Sequence, residues 1–222
     1  MPTLTIFAGI NGAGKSTLYR FQKTTKIGEL GVRICPDEIL EENGGDWTNF
    51  SDILNSGKIA IRRIDECIKT KTSFNWETTL ISRTFYNTVE RAKKQGFTIN
   101  VNFIGVKDYD LAMKRIAHRI KKGGHGVPAD IVKYRYDAQF NNIADILDLV
   151  DNAVFYDNTR VLQVIGTYHN HKLRFYNKSI KWTKLIEQQY KEKKDKAVDH
   201  FDLKEKIAQD GRMTQLDKDT QK

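Results

Sequence analysis

The sequence predicts an α/β fold in which a parallel sheet is wound by helices. Three observations carry this. The chain opens with a short apolar, β-branched run, Thr3-Leu4-Thr5-Ile6-Phe7-Ala8, which passes through a glycine-rich turn into a helix-forming stretch. Further short apolar runs recur at residues 32–35, 73–76, 97–106 and 152–156. Between them lie stretches with apolar residues at helical spacing, the alternation expected of strands joined by helical crossovers.

The first turn is the most informative. Gly9-Ile10-Asn11-Gly12-Ala13-Gly14-Lys15-Ser16-Thr17 fits the P-loop pattern G-x-x-x-x-G-K-[ST], between a strand and a helix as that motif requires. Glycines let successive backbone N–H groups face phosphate oxygens, and the helix N-terminus adds a favourable dipole. Gly9, Asn11, Gly12, Ala13, Gly14, Lys15, Ser16 and Thr17 are therefore expected to bind ATP. Lys15 is placed to reach the β- and γ-phosphates, and the Ser16 hydroxyl to sit on Mg²⁺.

The 222 residues suit one domain with an appendage. No apolar segment approaches the ~20 residues needed to span a bilayer, and no signal peptide is legible. Cys35 and Cys67 lack metal-ligand spacing and read as buried thiols of a cytoplasmic protein. A net charge of +9 suits phosphate-rich substrates. No basic stripe interleaved with aromatic residues stands out, so nucleic acid is not the expected partner.

After the P-loop helix, Val32-Arg33-Ile34-Cys35 reads as a second strand ended by Pro36. Asp37 follows where strand hands over to helix, and ligands of open α/β sheets gather outside the carboxyl ends of strands. Asp37 is a candidate base for a hydroxyl attacking the γ-phosphate; its other reading is the N-cap of the next helix. Ile53 to Ile68 mark an amphipathic helix, and Ser73-Phe74-Asn75-Trp76 a third strand closed by Glu77-Thr78-Thr79. Glu77 thus joins Asp37 at one sheet edge. A helix through Phe85, Val89 and Ala92 stops at Gly96, and residues 97–106 form the strand best suited to the sheet centre. No Walker-B aspartate ends that strand, which favours a small kinase over a water-activating ATPase. The helix through Leu111 and Ile116 carries Arg115 and Arg119, then runs into Gly123-Gly124-His125-Gly126-Val127-Pro128. That glycine-rich basic segment reads as a mobile lid over about residues 120–128. One long helix is expected from Ala129 to Val150, carrying Arg135, and then a strand ending in Asp157-Asn158, a place to bracket an adenine ring. A hairpin over about residues 160–176 turns at Asn170-His171. Residues 1–182 are read as the kinase domain and 183–222 as a charged helix with a tail disordered from about Gly211.

These motifs together resemble the zeta toxin-like family of P-loop kinases, in its Gly-Gly-His-x-Val-Pro branch, from Leu4 to about Trp182. The resemblance implies transfer of the ATP γ-phosphate to the 3′-hydroxyl of the sugar in UDP-N-acetylglucosamine, with an antitoxin as possible partner. It implies that Asp37 is the base and that Glu77, with Thr78 beside it, helps hold the acceptor sugar. Two lid-region arginines bind phosphates in that family. Arg119 matches the first, and His125 stands where the second is expected, with Arg115 and Arg135 as the other cations at hand. A histidine is neutral much of the time near pH 7, so it does not replace an arginine. The alternatives are a nucleoside or polynucleotide kinase, and a nucleotide-gated binding module of a toxin–antitoxin pair.

Overall fold

A computed structural model of the chain describes residues 1–28, 30–81, 83–177 and 179–196. Strands β1 (Thr3–Ala8), β2 (Val32–Ile34), β3 (Phe74–Thr78), β4 (Thr98–Gly105) and β5 (Asn152–Asp157) run parallel, ordered β2-β3-β1-β4-β5. Their carboxyl ends therefore share one edge. As the long apolar run predicts, β4 lies at the centre of the seven-stranded sheet. Strands β6 (Gln163–His169) and β7 (Lys172–Phe175) extend the same sheet antiparallel.

The helices are α1 (Lys15–Thr25), α2 (Pro36–Glu42), α3 (Phe50–Thr70), α4 (Arg83–Lys94), α5 (Tyr109–Lys121) and α6 (Ala129–Ile146), followed by α7 over 181–196. Local chemistry sets their starts. The Asn49 side chain caps α3 by accepting from the Ser51 N–H, and Asp108 caps α5 by accepting from the Leu111 N–H. Asp108, just beyond β4, is thus spent on a helix cap, in keeping with the missing Walker-B aspartate.

Side chains alternate across β1. Leu4, Ile6 and Ala8 enter a large core with α3, α4, α6 and α7, whereas Phe7 enters a smaller one with α1 and α5. Both cysteines are buried and free. Among the described residues no helix is long and apolar enough to cross a membrane.

Two details depart from expectation. The helix expected to reach Val150 ends at Ile146, and Leu147–Leu149 tighten into a 3-10 turn before extended Val150 feeds β5. The hairpin and C-terminal helix are where the sequence places them, but they are integral to the fold. Trp182 of α7 stacks on Phe140 at 5.9 Å and meets Phe103 at 5.6 Å and Phe175 at 6.3 Å. The tail expected to be disordered from about Gly211 lies outside the described residues.

Trp182 is 2% exposed. Trp182→Ala is expected to lower the unfolding free energy by about 3–5 kcal/mol in urea denaturation. A loss below about 1 kcal/mol, ordinary for a surface site, would mean that α7 is only appended.

Candidate active site

Four strand ends and α5 surround a cavity of about 290 Å³, lined by residues that include Gly12, Lys15, Asp37, Glu77, Arg119 and Asn158. The loop after β1 reaches α1 through Gly14, which takes a left-handed conformation (φ 106°) and leaves the helix N-terminus without a side-chain cap. Uncapped N–H groups at a helix start are an anion site in waiting. Gly14 is required for packing too, since a Cβ there would lie 2.4 Å from Asn158 Nδ2. That amide, beyond β5, donates to the Ala13 carbonyl at 2.8 Å and braces the loop.

Lys15 is folded against its own loop, donating to the Ile10 carbonyl at 3.1 Å with Glu77 Oε1 at 3.9 Å. Burial pushes its ammonium pKa down, while Glu77 and Asp37 pull it back up. Ser16 Oγ donates to Glu77 Oε1 at 3.0 Å, and the other Glu77 oxygen accepts from Arg33 at 2.5 Å. Arg33 also binds Glu38 at 2.8 Å and lies over the Tyr19 ring at 3.8 Å. Burial works against its charge, but Glu38 and Glu77 outweigh it and raise the guanidinium pKa. Glu77, expected at the acceptor, thus lines the cavity while committed to the P-loop serine. Thr78 faces elsewhere: its hydroxyl accepts from the Leu80 N–H at 3.1 Å and closes the turn after β3.

Asp37 sits in the first turn of α2, whose cap is Cys35 and whose first residue is Pro36. The helix-cap reading of Asp37 is therefore not realised. Its side chain remains 43% exposed and lines the cavity. Burial raises its pKa, but the imidazole of His125 and the charges of Lys15 and Arg119 outweigh this and hold the carboxyl below its ordinary value. At its back, the Cys35 thiol is pushed up to about 12, first by burial and then by Glu77.

The predicted cations separate. Arg119 lines the cavity with Nε and Nη2 buried and without a hydrogen-bond partner. Arg115 also lines it, but is held by the Asn158 carbonyl at 2.7 Å and the Gly12 carbonyl at 3.4 Å. Arg135 grips the P-loop from α6, donating to Asn11 Oδ1 at 2.7 Å. Burial lowers its pKa, with Asp37 opposing. His125 lies against Asp37. Sequence reasoning missed Arg20 and Arg33 as parts of the site, and gave Asn158 to an adenine ring where the structure puts its amide on the P-loop. Arg20 follows Ser16 by one helical turn, a readable signal, and an arginine inside a short apolar strand is another.

The profile of the Zeta toxin family matches residues 1–181. This chain belongs to the zeta toxin family. A Haemophilus influenzae protein described only as uncharacterized is 34% identical over 130 residues, spanning 59% of this chain and 89% of that protein. Among solved structures, one of the PezAT chromosomal toxin–antitoxin system of Streptococcus pneumoniae superimposes with a TM-score of 0.56 at 16% identity, covering 86% of this chain and 87% of that one. An AvrRxo1-ORF1:AvrRxo1-ORF2 complex with sulphate ions gives 0.62 at 15% identity, over 84% of this chain. This chain spans 64% of the length of that neighbour. A related AvrRxo1-ORF1:ORF2 structure was solved with ATP. At these identities the likeness is one of fold. Family membership supports a nucleotide-dependent, kinase-like function.

Because Glu77 is buried and is a counter-charge of half-buried Arg33, which also pairs with Glu38, Glu77→Ala is expected to destabilise the fold by about 1–3 kcal/mol. Glu77→Gln, whose amide oxygen can still accept from Arg33 while its NH2 donates to the Ser16 hydroxyl, should cost less. Chemical denaturation of the two variants checks this, and equal stability to the parent would remove Glu77 from the frame of the site.

Proposed function

We propose that this protein is an ATP- and Mg²⁺-dependent kinase that phosphorylates a hydroxyl of a small acceptor, first of all a UDP-activated amino sugar such as UDP-N-acetylglucosamine. One observation carries the reading. Arg119 lines the cavity into which Asp37 brings an accessible carboxylate, and two of its guanidinium nitrogens are buried without a hydrogen-bond partner. Buried donors left unpaired cost free energy, so this guanidinium is built for an anion from outside. A base beside an anion site is the pairing that phosphoryl transfer to a hydroxyl requires.

The loop from Gly9 to Thr17 and Lys15 would hold the phosphates, and the uncapped start of α1 fits them. Ser16 and Glu77 offer adjacent hard oxygen donors suited to Mg²⁺, which when bound neutralises phosphate charge. Asp37 then takes the proton of the acceptor hydroxyl as the hydroxyl oxygen bonds to the terminal phosphorus and the bond from that phosphorus to the β–γ bridging oxygen breaks, releasing ADP. Arg119 faces the charge on the transferring group. Arg115, Arg135 and Asn158 keep the loop in shape from three sides. A protein antitoxin is the proposed partner, by likeness to the PezAT and AvrRxo1 complexes, and the cytoplasm the proposed place of action.

Incubation with ATP and a panel of UDP-sugars, nucleosides and oligonucleotides, read by mass spectrometry, tests the acceptor. A phosphoryl gain on UDP-N-acetylglucosamine is expected; gain on nucleosides or oligonucleotides alone would replace the acceptor class. In the same assay Lys15→Ala should abolish transfer and weaken ATP binding. Asp37→Asn should keep ATP binding and lower kcat by ~10²–10⁴. Arg119→Ala should lower kcat more than ATP affinity, because contacts made chiefly in the transition state act on rate.

A further inference from the structure

The segment after α5 is built to bring one side chain to Asp37. Gly124 lies on Arg119, where a Cβ would come within 2.7 Å of Arg119 Cγ and 3.2 Å of its carbonyl oxygen. Gly126 lies under the Trp47 ring, where a Cβ would stand 2.9 Å from two ring carbons and 2.8 Å from Ile120 Cδ1. These contacts tie the segment to α5 on one side and to the loop between α2 and α3 on the other. Between the two glycines, His125 Nε2 is buried and comes within 2.8 Å of Asp37 Oδ2. The contact is short but off the line of a straight hydrogen bond, and Nε2 has no hydrogen-bond partner elsewhere.

We propose that His125 is a positioning residue for Asp37: it holds one carboxylate oxygen and leaves the other free for the acceptor hydroxyl. The proposal rests on Asp37 being the base. A carboxylate on a short side chain rotates freely unless one oxygen is engaged, and a misplacement of about 1 Å can cost ~10²-fold in rate. No other side chain of the described residues is paired with Asp37. The charged and titratable groups acting on Asp37 are His125 and Arg119 from the α5 side, Lys15 from the P-loop, Arg135 from α6 and the Cys35 thiol behind it. Of these, His125 touches it. The proposal also explains why a histidine can stand where relatives are expected to carry a phosphate-binding arginine: its work is on the base.

The test joins a carbon NMR titration of the Asp37 carboxyl in the full chain to kinetics. His125→Ala removes the donor and should raise the Asp37 midpoint; His125→Gln keeps a donor and should raise it less. At saturating ATP, His125→Ala should lower kcat at least ~10-fold, leave ATP affinity unchanged, and cost nothing further in an Asp37→Asn background. His125→Gln should recover part of the loss, and it serves as the probe if the alanine variant does not fold. An unmoved midpoint with an inactive Asp37→Asn overturns the positioning role alone. The same loss in the Asp37→Asn background puts His125 on the phosphates and also overturns it. Parent-like turnover by Asp37→Asn, with the midpoint still moved by His125→Ala, breaks the base assignment and the role built on it.

Discussion

The site depends on one buried carboxylate. Glu77 stands at the end of β3 with one oxygen on Ser16 of the P-loop and the other on Arg33 of β2, and Lys15 is 3.9 Å away. A carboxylate 8% exposed at its side chain is tenable only because cations and donors surround it. Those partners come from β2 and from the first turn of α1. Pairing Glu77 therefore sets the spacing of the strand ends that form the cavity. Arg33 extends the same chain of contacts to Tyr19 on α1 and to Glu38 on α2, the helix that carries Asp37.

The opposite wall is held by side chains that reach the P-loop. Asn158 reaches the Ala13 carbonyl, Arg115 bridges the Gly12 and Asn158 carbonyls, and Arg135 holds Asn11. These three groups brace the loop. Arg119 is the exception, since its buried donors have no hydrogen-bond partner. Of these three arginines, Arg115 and Arg135 thus keep the loop in shape, and Arg119 has donors left unpaired. This division separates residues that type alone would group together.

Much of this was legible in the sequence, and the limits are physical. The P-loop, the parallel strands and the acids at their ends are local patterns, so Lys15, Ser16, Asp37 and Glu77 fell where the spacing put them. Pro36 also carried a signal against Asp37 as the helix cap: proline favours the first helical position, which leaves the cap to Cys35. What the sequence did not show were contacts across long separations. Asn158 meets Ala13 from 145 residues away, and His125 of the segment after α5 meets Asp37 at the start of α2. Periodicity also cannot tell an added hairpin from one that joins the sheet edge, because pairing of β5 with β6 is set by packing. The 3-10 turn after Ile146 carries no glycine or proline to announce it.

The central claim is that the terminal phosphate of ATP lies between Lys15 and Arg119 on the side of Asp37. Diffraction from crystals grown with a non-hydrolysable ATP analogue and Mg²⁺ tests it directly. The account predicts phosphate density cradled by residues 9–17, with the freed donors of Arg119 on the terminal group and Asp37 open beside it. Nucleotide bound away from that loop, or a terminal phosphate that leaves Arg119 unpaired, would contradict it.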